Sequence, residues 1–242
     1  MINTVVETFK RWRLPIVCFA WLFSLLGLLM RRGYETFLAA NFLPILVLAI
    51  LALLPMTLCA FIRRSPPRFG MREALAAATV LLPLVYIHQA VGTTLGSGAL
   101  HVRYVGTGAI GNERNSAEEG IGTGETSLLT LYLEADKYEG RRITLVGRLA
   151  KENPQVVEML GEAQPLLFRF VINCCAADAS PVALVLEGDG AESLRDDDWI
   201  EATGTFRIRK VERYELLVLE KATIRATKAP PQPYLYMQWG IL

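Results

Sequence analysis

The chain has 242 residues, enough for one or two domains, and 52% of them are apolar or aromatic against 20% charged. That balance is too apolar for an ordinary soluble protein, and a formal net charge of +1 lacks the strong basic excess expected of a nucleic-acid-binding domain. The four cysteines are too few, in a chain this long, for a secreted disulfide framework.

Three long apolar runs come first, at residues 14–30, 37–62 and 74–91. About 20 helical residues cross a hydrocarbon layer roughly 30 Å thick, so these runs predict three transmembrane helices. Lys10, Arg11 and Arg13 before the first run would also suit a signal peptide, but Arg31-Arg32 follows it where a small-residue cleavage site belongs. The run therefore reads as a retained anchor. Seven positive charges (Lys10, Arg11, Arg13, Arg63, Arg64, Arg68 and Arg72) oppose three (Arg31, Arg32 and Arg103) across the expected spans. The positive-inside rule then puts the N-terminus in the cytoplasm and everything after Val91 outside. Pro15, Pro44, Pro55 and Pro83 lie within the runs, where each frees a backbone carbonyl that needs another partner in lipid. His88 is an ionisable group near the end of the third run; it faces either protein or the hydrated interface. Cys18 and Cys59 read as small buried apolar residues.

Residues 92–126 are rich in Gly, Ser and Thr and read as a linker. Their GTG and GTGE fragments lack the Gly-Lys-Ser/Thr ending of a phosphate loop. Residues 127–228 read as a mostly-β domain. A short helix opens at Ser127, and strands follow at 142–149, 166–174, 181–187, 200–209 and 214–225. Ile143, Leu145, Gly147 and Leu149 alternate with Arg142, Thr144, Val146 and Arg148, and Ile200, Ala202, Gly204, Phe206 and Ile208 alternate with polar neighbours, so each strand buries one face. Five short strands, two of them bent at glycine, predict an OB-like five-stranded barrel, with a small open sandwich as the second reading. Residues 229–242 read as a Pro/aromatic tail. Asp196-Asp197-Asp198 reads as a solvated or capping turn, with no second carboxylate placed to form a hydrolase pair.

The chemistry concentrates at Cys174-Cys175 and Asp178. Alternation puts Cys174 on the core face of Phe168, Phe170 and Ile172, and Cys175 outside or at the strand end. Four readings stay open. Both thiols pack while Asp178 caps the turn. Or the three residues hold zinc or copper(I) with help from His88, His101 or a partner. Or the pair forms a labile vicinal disulfide. Or one thiol is a catalytic nucleophile, which the absence of histidine from residues 127–242 disfavours. No catalytic apparatus is visible, and the expectation is a protein that is not an enzyme.

The stretch from Asp136 to Ile143, then Val146-Gly147, the run Arg169–Val182 containing Cys174-Cys175-Ala176-Ala177-Asp178-Ala179, then Asp198-Trp199-Ile200 and Thr203-Gly204 resembles the YcgQ-like permease subunits of bacteria. The resemblance covers the expected outer domain; over the spans it extends only to their layout. It implies a multi-pass protein of the bacterial inner membrane that pairs with a larger multi-span permease, with the bilayer as its other partner and no nucleic acid. It assigns no functional residues; Cys174, Cys175 and Asp178 only match its motif. Some relatives carry a histidine-rich connection between the second and third spans, whereas residues 63–73 here contain no histidine.

Overall fold

The computed structural model describes residues 2–62, 71–91, 93–102, 127–211 and 214–236. The chain divides into two compact units, Met1–Thr94 and Leu95–Leu242.

The first unit is helical: α1 (Ile2–Met30), α2 (Leu43–Ile62) and α3 (Met71–Ala90). Helix α1 stops where Arg32 turns left-handed, at φ 53°. The apolar run expected over 37–62 is not one helix. Residues Gly33–Thr36 and Ala40–Phe42 form two 3-10 turns, and α2 begins only at Leu43. Pro44 therefore occupies the first helical turn, where a missing N–H frees no carbonyl. Pro55 and Pro83 do lie inside helices. In the turn before Pro83, the Val80 carbonyl accepts a hydrogen bond from Trp21 Nε1 at 3.1 Å. A small core of Leu22, Tyr34, Leu46 and Ile50 joins α1, the connecting turn and α2.

Among the described residues one helix, Leu43–Ile62, is long and apolar enough to cross a membrane by length and composition. The apolar parts of α1 and α3 are shorter, at Pro15–Met30 and Leu75–Ala90. Cys59 is exposed and Cys18 half-buried, so neither is the buried apolar residue that the sequence predicts.

The second unit starts with α4 (Ser97–Val102), inside the stretch expected to be linker; residues 92 and 103–126 of that stretch lie outside the described residues. Then follow α5 (Leu128–Leu133), α6 (Ala135–Tyr138), β1 (Arg142–Ala150), α7 (Pro154–Leu160), β2 (Leu166–Ile172), β3 (Ser180–Asp189), β4 (Trp199–Val211), β5 (Tyr214–Ala226) and β6 (Leu235–Tyr236). Ser127 caps α5 by accepting from the Thr130 N–H at 3.0 Å. Helix α7 is absent from the sequence reading although its signals are present. Asn153 Oδ1 accepts from the Gln155 N–H at 2.9 Å, Pro154 takes the first position, and Gly161 ends the helix left-handed at φ 76°.

The six strands form one sheet in the order β1-β4-β5-β3-β2-β6, and β1 also pairs with β2, so the first five strands run round into a ring. The pairings are antiparallel except β3–β5 and β2–β6, which are parallel. Where β1 and β2 meet, Gly147 is needed: a Cβ there would stand 2.5 Å from Leu167 Cδ2. Leu145, Leu149, Ala202, Phe206 and Leu219 fill the inside of the ring together with Leu128 and Leu131 from α5.

Strand β2 alternates as the sequence predicts, with Leu166, Phe168, Phe170 and Ile172 on one face, but both of its faces are buried. Leu167 and Val171 join the ring interior, while Leu166, Phe168, Phe170 and Ile172 join a second core on the opposite face. Leu100 of α4, Val156 of α7 and Tyr234 of the tail cover that face. One strand thus supports two cores, and its continuous apolar sequence reflects burial on both sides.

Candidate functional site

Strand β2 ends at Ile172, not Cys174. The chain must return antiparallel as β3, so residues 173–179 form a tight connection containing a 3-10 turn at Ala176–Asp178. Both cysteines sit at the mouth of this connection, half-buried. Cys174 is therefore not a core residue: the strand has ended before alternation can turn it inward.

Asp178 organises the turn. Its Oδ2 accepts from the Cys174 N–H at 2.8 Å and from the Cys175 N–H at 3.4 Å, and its Oδ1 accepts from the Asn173 N–H at 3.2 Å. The Asp178 N–H returns a bond to the Cys175 carbonyl at 3.0 Å. The capping role read from the sequence is thus what the carboxylate performs locally. The Cys174 and Cys175 sulfurs are in hydrogen-bond contact at 3.7 Å and are not joined by a disulfide. One ligand atom from each of Cys174, Cys175 and Asp178 lies within 4.8 Å of the others, so this group could hold a metal ion.

The electrostatics follow from these contacts. The hydrogen bond to the Asp178 carboxylate, then that to Cys175, with burial adding, pushes the Cys174 thiol up to about 11. Burial alone would raise the Asp178 carboxyl, but the bonds from the Cys174 thiol and from the three backbone N–H groups outweigh it and hold the acid below its ordinary value. A thiol kept protonated at neutral pH attacks slowly, which weighs against the nucleophile reading of Cys174.

The other residues singled out from the sequence lie elsewhere. His88 Nε2 is 3.1 Å from Oγ of Ser24, which is 2% exposed. His101 Nε2 is 3.2 Å from the Glu152 carbonyl. Neither belongs to the cysteine group found among the described residues.

The acidic turn proves to be an anchor. Asp196 Oδ1 accepts from the Lys151 N–H at 2.7 Å and Asp198 Oδ2 from the Arg195 N–H at 2.9 Å. Asp197 takes the Ser97 N–H at 2.6 Å and the Ser97 hydroxyl at 3.0 Å, which caps α4 from 100 residues away. Gly96 permits this approach, since a Cβ there would stand 2.7 Å from Asp197 Oδ2. Arg148 donates to the Leu95 carbonyl at 2.9 Å, and the Leu95 N–H donates to the Tyr234 hydroxyl at 3.1 Å.

Arg169 is the functional-looking residue that the sequence reading passed over. It donates to the carbonyls of Gln232, Pro233 and Tyr234, and desolvation lowers its pKa to about 10. Its guanidinium and that of Arg148 lie 5.8 and 6.0 Å from the Trp199 ring. Its sequence signals are a charge within an otherwise apolar strand and its place at the head of the run that carries the family resemblance.

Residues 126–237 match the family model described as the DUF1980 C-terminal domain, a domain of unknown function. No curated protein and no solved structure matches the chain.

Proposed function

We propose that the chain is an integral membrane protein that acts, without catalysis of its own, as the accessory subunit of a multi-span permease. The carrying observation is the exposure of α2. Only 22% of its apolar window is buried, and Leu48, Leu51 and Leu58 stand more than half exposed. A core helix of a soluble protein would be covered. Leaving such surface wet costs about 25 cal/mol per Å² of apolar area, and lipid removes that cost. The same holds for Leu82, Val85 and Tyr86 of α3. The 16-residue apolar stretches Pro15–Met30 and Leu75–Ala90 each rise only about 24 Å, so these two spans end near the interface or lean on a neighbour.

In this reading α1, α2 and α3 are three spans of a bacterial inner membrane. The excess of Lys and Arg beside the first span and between the second and third supports a cytoplasmic N-terminus. The β unit then lies outside. Its five-strand ring, with β3 and β5 parallel, is read as an OB-like barrel. The permease partner comes from the family resemblance, which falls on the same residues as the DUF1980 C-terminal domain match.

Isolation of the tagged full chain from its native membrane in mild detergent tests the assignment. A multi-span protein recovered in constant ratio is the expected result. Repeated isolation of the chain alone, under conditions that preserve other membrane complexes, overturns it.

A further inference from the structure

We propose that Cys174, Cys175 and Asp178 form a site for a tetrahedral, thiophilic dication of the zinc class, gripped at three points with the fourth position open. This goes beyond the accessory-subunit reading and stands or falls separately from it.

The spacing of the sulfurs distinguishes between the two metals that the sequence leaves open. They are 3.7 Å apart. Two thiolates bound to one tetrahedral ion at about 2.3 Å stand about 3.8 Å from each other. On opposite sides of a linear two-coordinate ion, a geometry open to copper(I), they would stand about 4.6 Å apart at the same bond length. The sulfur pair therefore meets the tetrahedral spacing almost without movement, whereas the linear one asks it to open by roughly 0.9 Å. Thiolates suit both metals by softness, so geometry is what separates them.

The third donor is already oriented. The Asp178 carboxylate takes the N–H groups of Asn173, Cys174 and Cys175, so its rotamer is set before any ion arrives. Those N–H groups would be its outer partners in the loaded site, the kind of support that ligating carboxylates use. A carboxylate oxygen has lone pairs beyond those the backbone occupies. On binding, the ion replaces the thiol protons, which pass to solvent, and no electrons move.

Among the described residues no fourth His, Cys, Asp or Glu joins the group. Structural zinc sites are closed by four protein ligands, and an open position marks an ion that meets another molecule there. The domain has its own apolar cores, so the ion is not needed to hold the fold. The arrangement fits a site that receives and releases its ion.

The test uses the full chain in detergent with Cys18 and Cys59 changed to Ser, so that only the pair reports. Cobalt(II) is added as a spectroscopic stand-in, then displaced with zinc(II). The expected result is one equivalent of cobalt with the strong visible absorption of a tetrahedral sulfur-bound ion, bleached by zinc and stripped by a chelator without unfolding. Cys174→Ser/Cys175→Ser should abolish the signal, and Asp178→Asn should weaken zinc binding about tenfold or more. Cys175→Ser, which keeps the Asp178 contacts to the backbone, should alone lose the tetrahedral spectrum. Absence of that spectrum in the parent protein overturns the proposal, as does zinc affinity unchanged by the double serine substitution. So does tight copper(I) binding by a chain that takes no zinc. None of these outcomes alters whether a permease co-purifies.

Discussion

Asp178 closes the turn after β2 by accepting three backbone N–H groups in succession, and the same carboxylate holds the Cys174 proton in place. The two effects predict opposite pH responses. With the Cys174 thiol pushed up to about 11 by its bond to Asp178, its alkylation by iodoacetamide should stay slow at pH 8 and accelerate only as the pH approaches that value. Asp178→Asn removes the negative charge and should move the profile to lower pH; mass-resolved alkylation at several pH values checks this, and an unshifted profile would mean that Asp178 does not set the thiol. For stability the signs differ. Cys174 binds its proton more tightly when folded, so its contribution is present at neutral pH and is lost as the pH rises through about 11. Asp178 has its acid lowered on folding, so its contribution is present above 3.8, its ordinary value, and is lost as the pH falls through the lower folded value.

At the scale of elements, α4 is too short to be stable alone. It holds because Leu100 is fully buried against the second core and because Asp197 caps its start. Asp197 has φ 71°, so Asp197→Gly keeps the backbone relaxed while deleting the carboxylate. The loss of two hydrogen bonds to a charged acceptor should weaken the local structure by about 1–3 kcal/mol. Hydrogen exchange at Ser97–Leu100 should then quicken, with the amides of β4 and β5 unchanged. Equal loss of protection in the strands would show instead that α4 and the ring unfold as one unit. The tail is held in an analogous way, by Arg169 on three carbonyls and by the short parallel pairing of β6 with Val171 and Ile172.

For the whole molecule, the exposed apolar helices lead to a direct expectation. The full chain should stay with the membrane pellet through alkaline carbonate washing and leave it only with detergent, because alkali removes peripheral proteins but not spanning helices. A reporter fused after residue 242 should be active on the non-cytoplasmic side if the charge asymmetry sets the orientation. Release of the chain by carbonate would remove the membrane assignment, and a cytoplasmic reporter signal would reverse the topology.

Much of the β unit was legible along the chain because strand periodicity is local. Alternation alone put Ile143, Leu145 and Leu149 of β1, and Ile200, Ala202 and Phe206 of β4, on one face, and all are buried there. Gly147, read as a bend, proves to mark the close approach of β1 to β2. Cys174-Cys175 and Asp178 stood out by residue type and spacing, and their grouping survives in three dimensions because a turn of this length cannot separate them. Other features were decided only by the return of distant segments. Nothing near Ser97 announces that Asp197 will cap it, and nothing in β2 says which of its two apolar faces lines the ring and which meets α4, α7 and Tyr234. Local sequence sets the period of a strand and the reach of a turn. Which strands become neighbours, where β2 ends and hence which way Cys174 faces depend on contacts between residues far apart in the chain, and these exist only once the ring has closed.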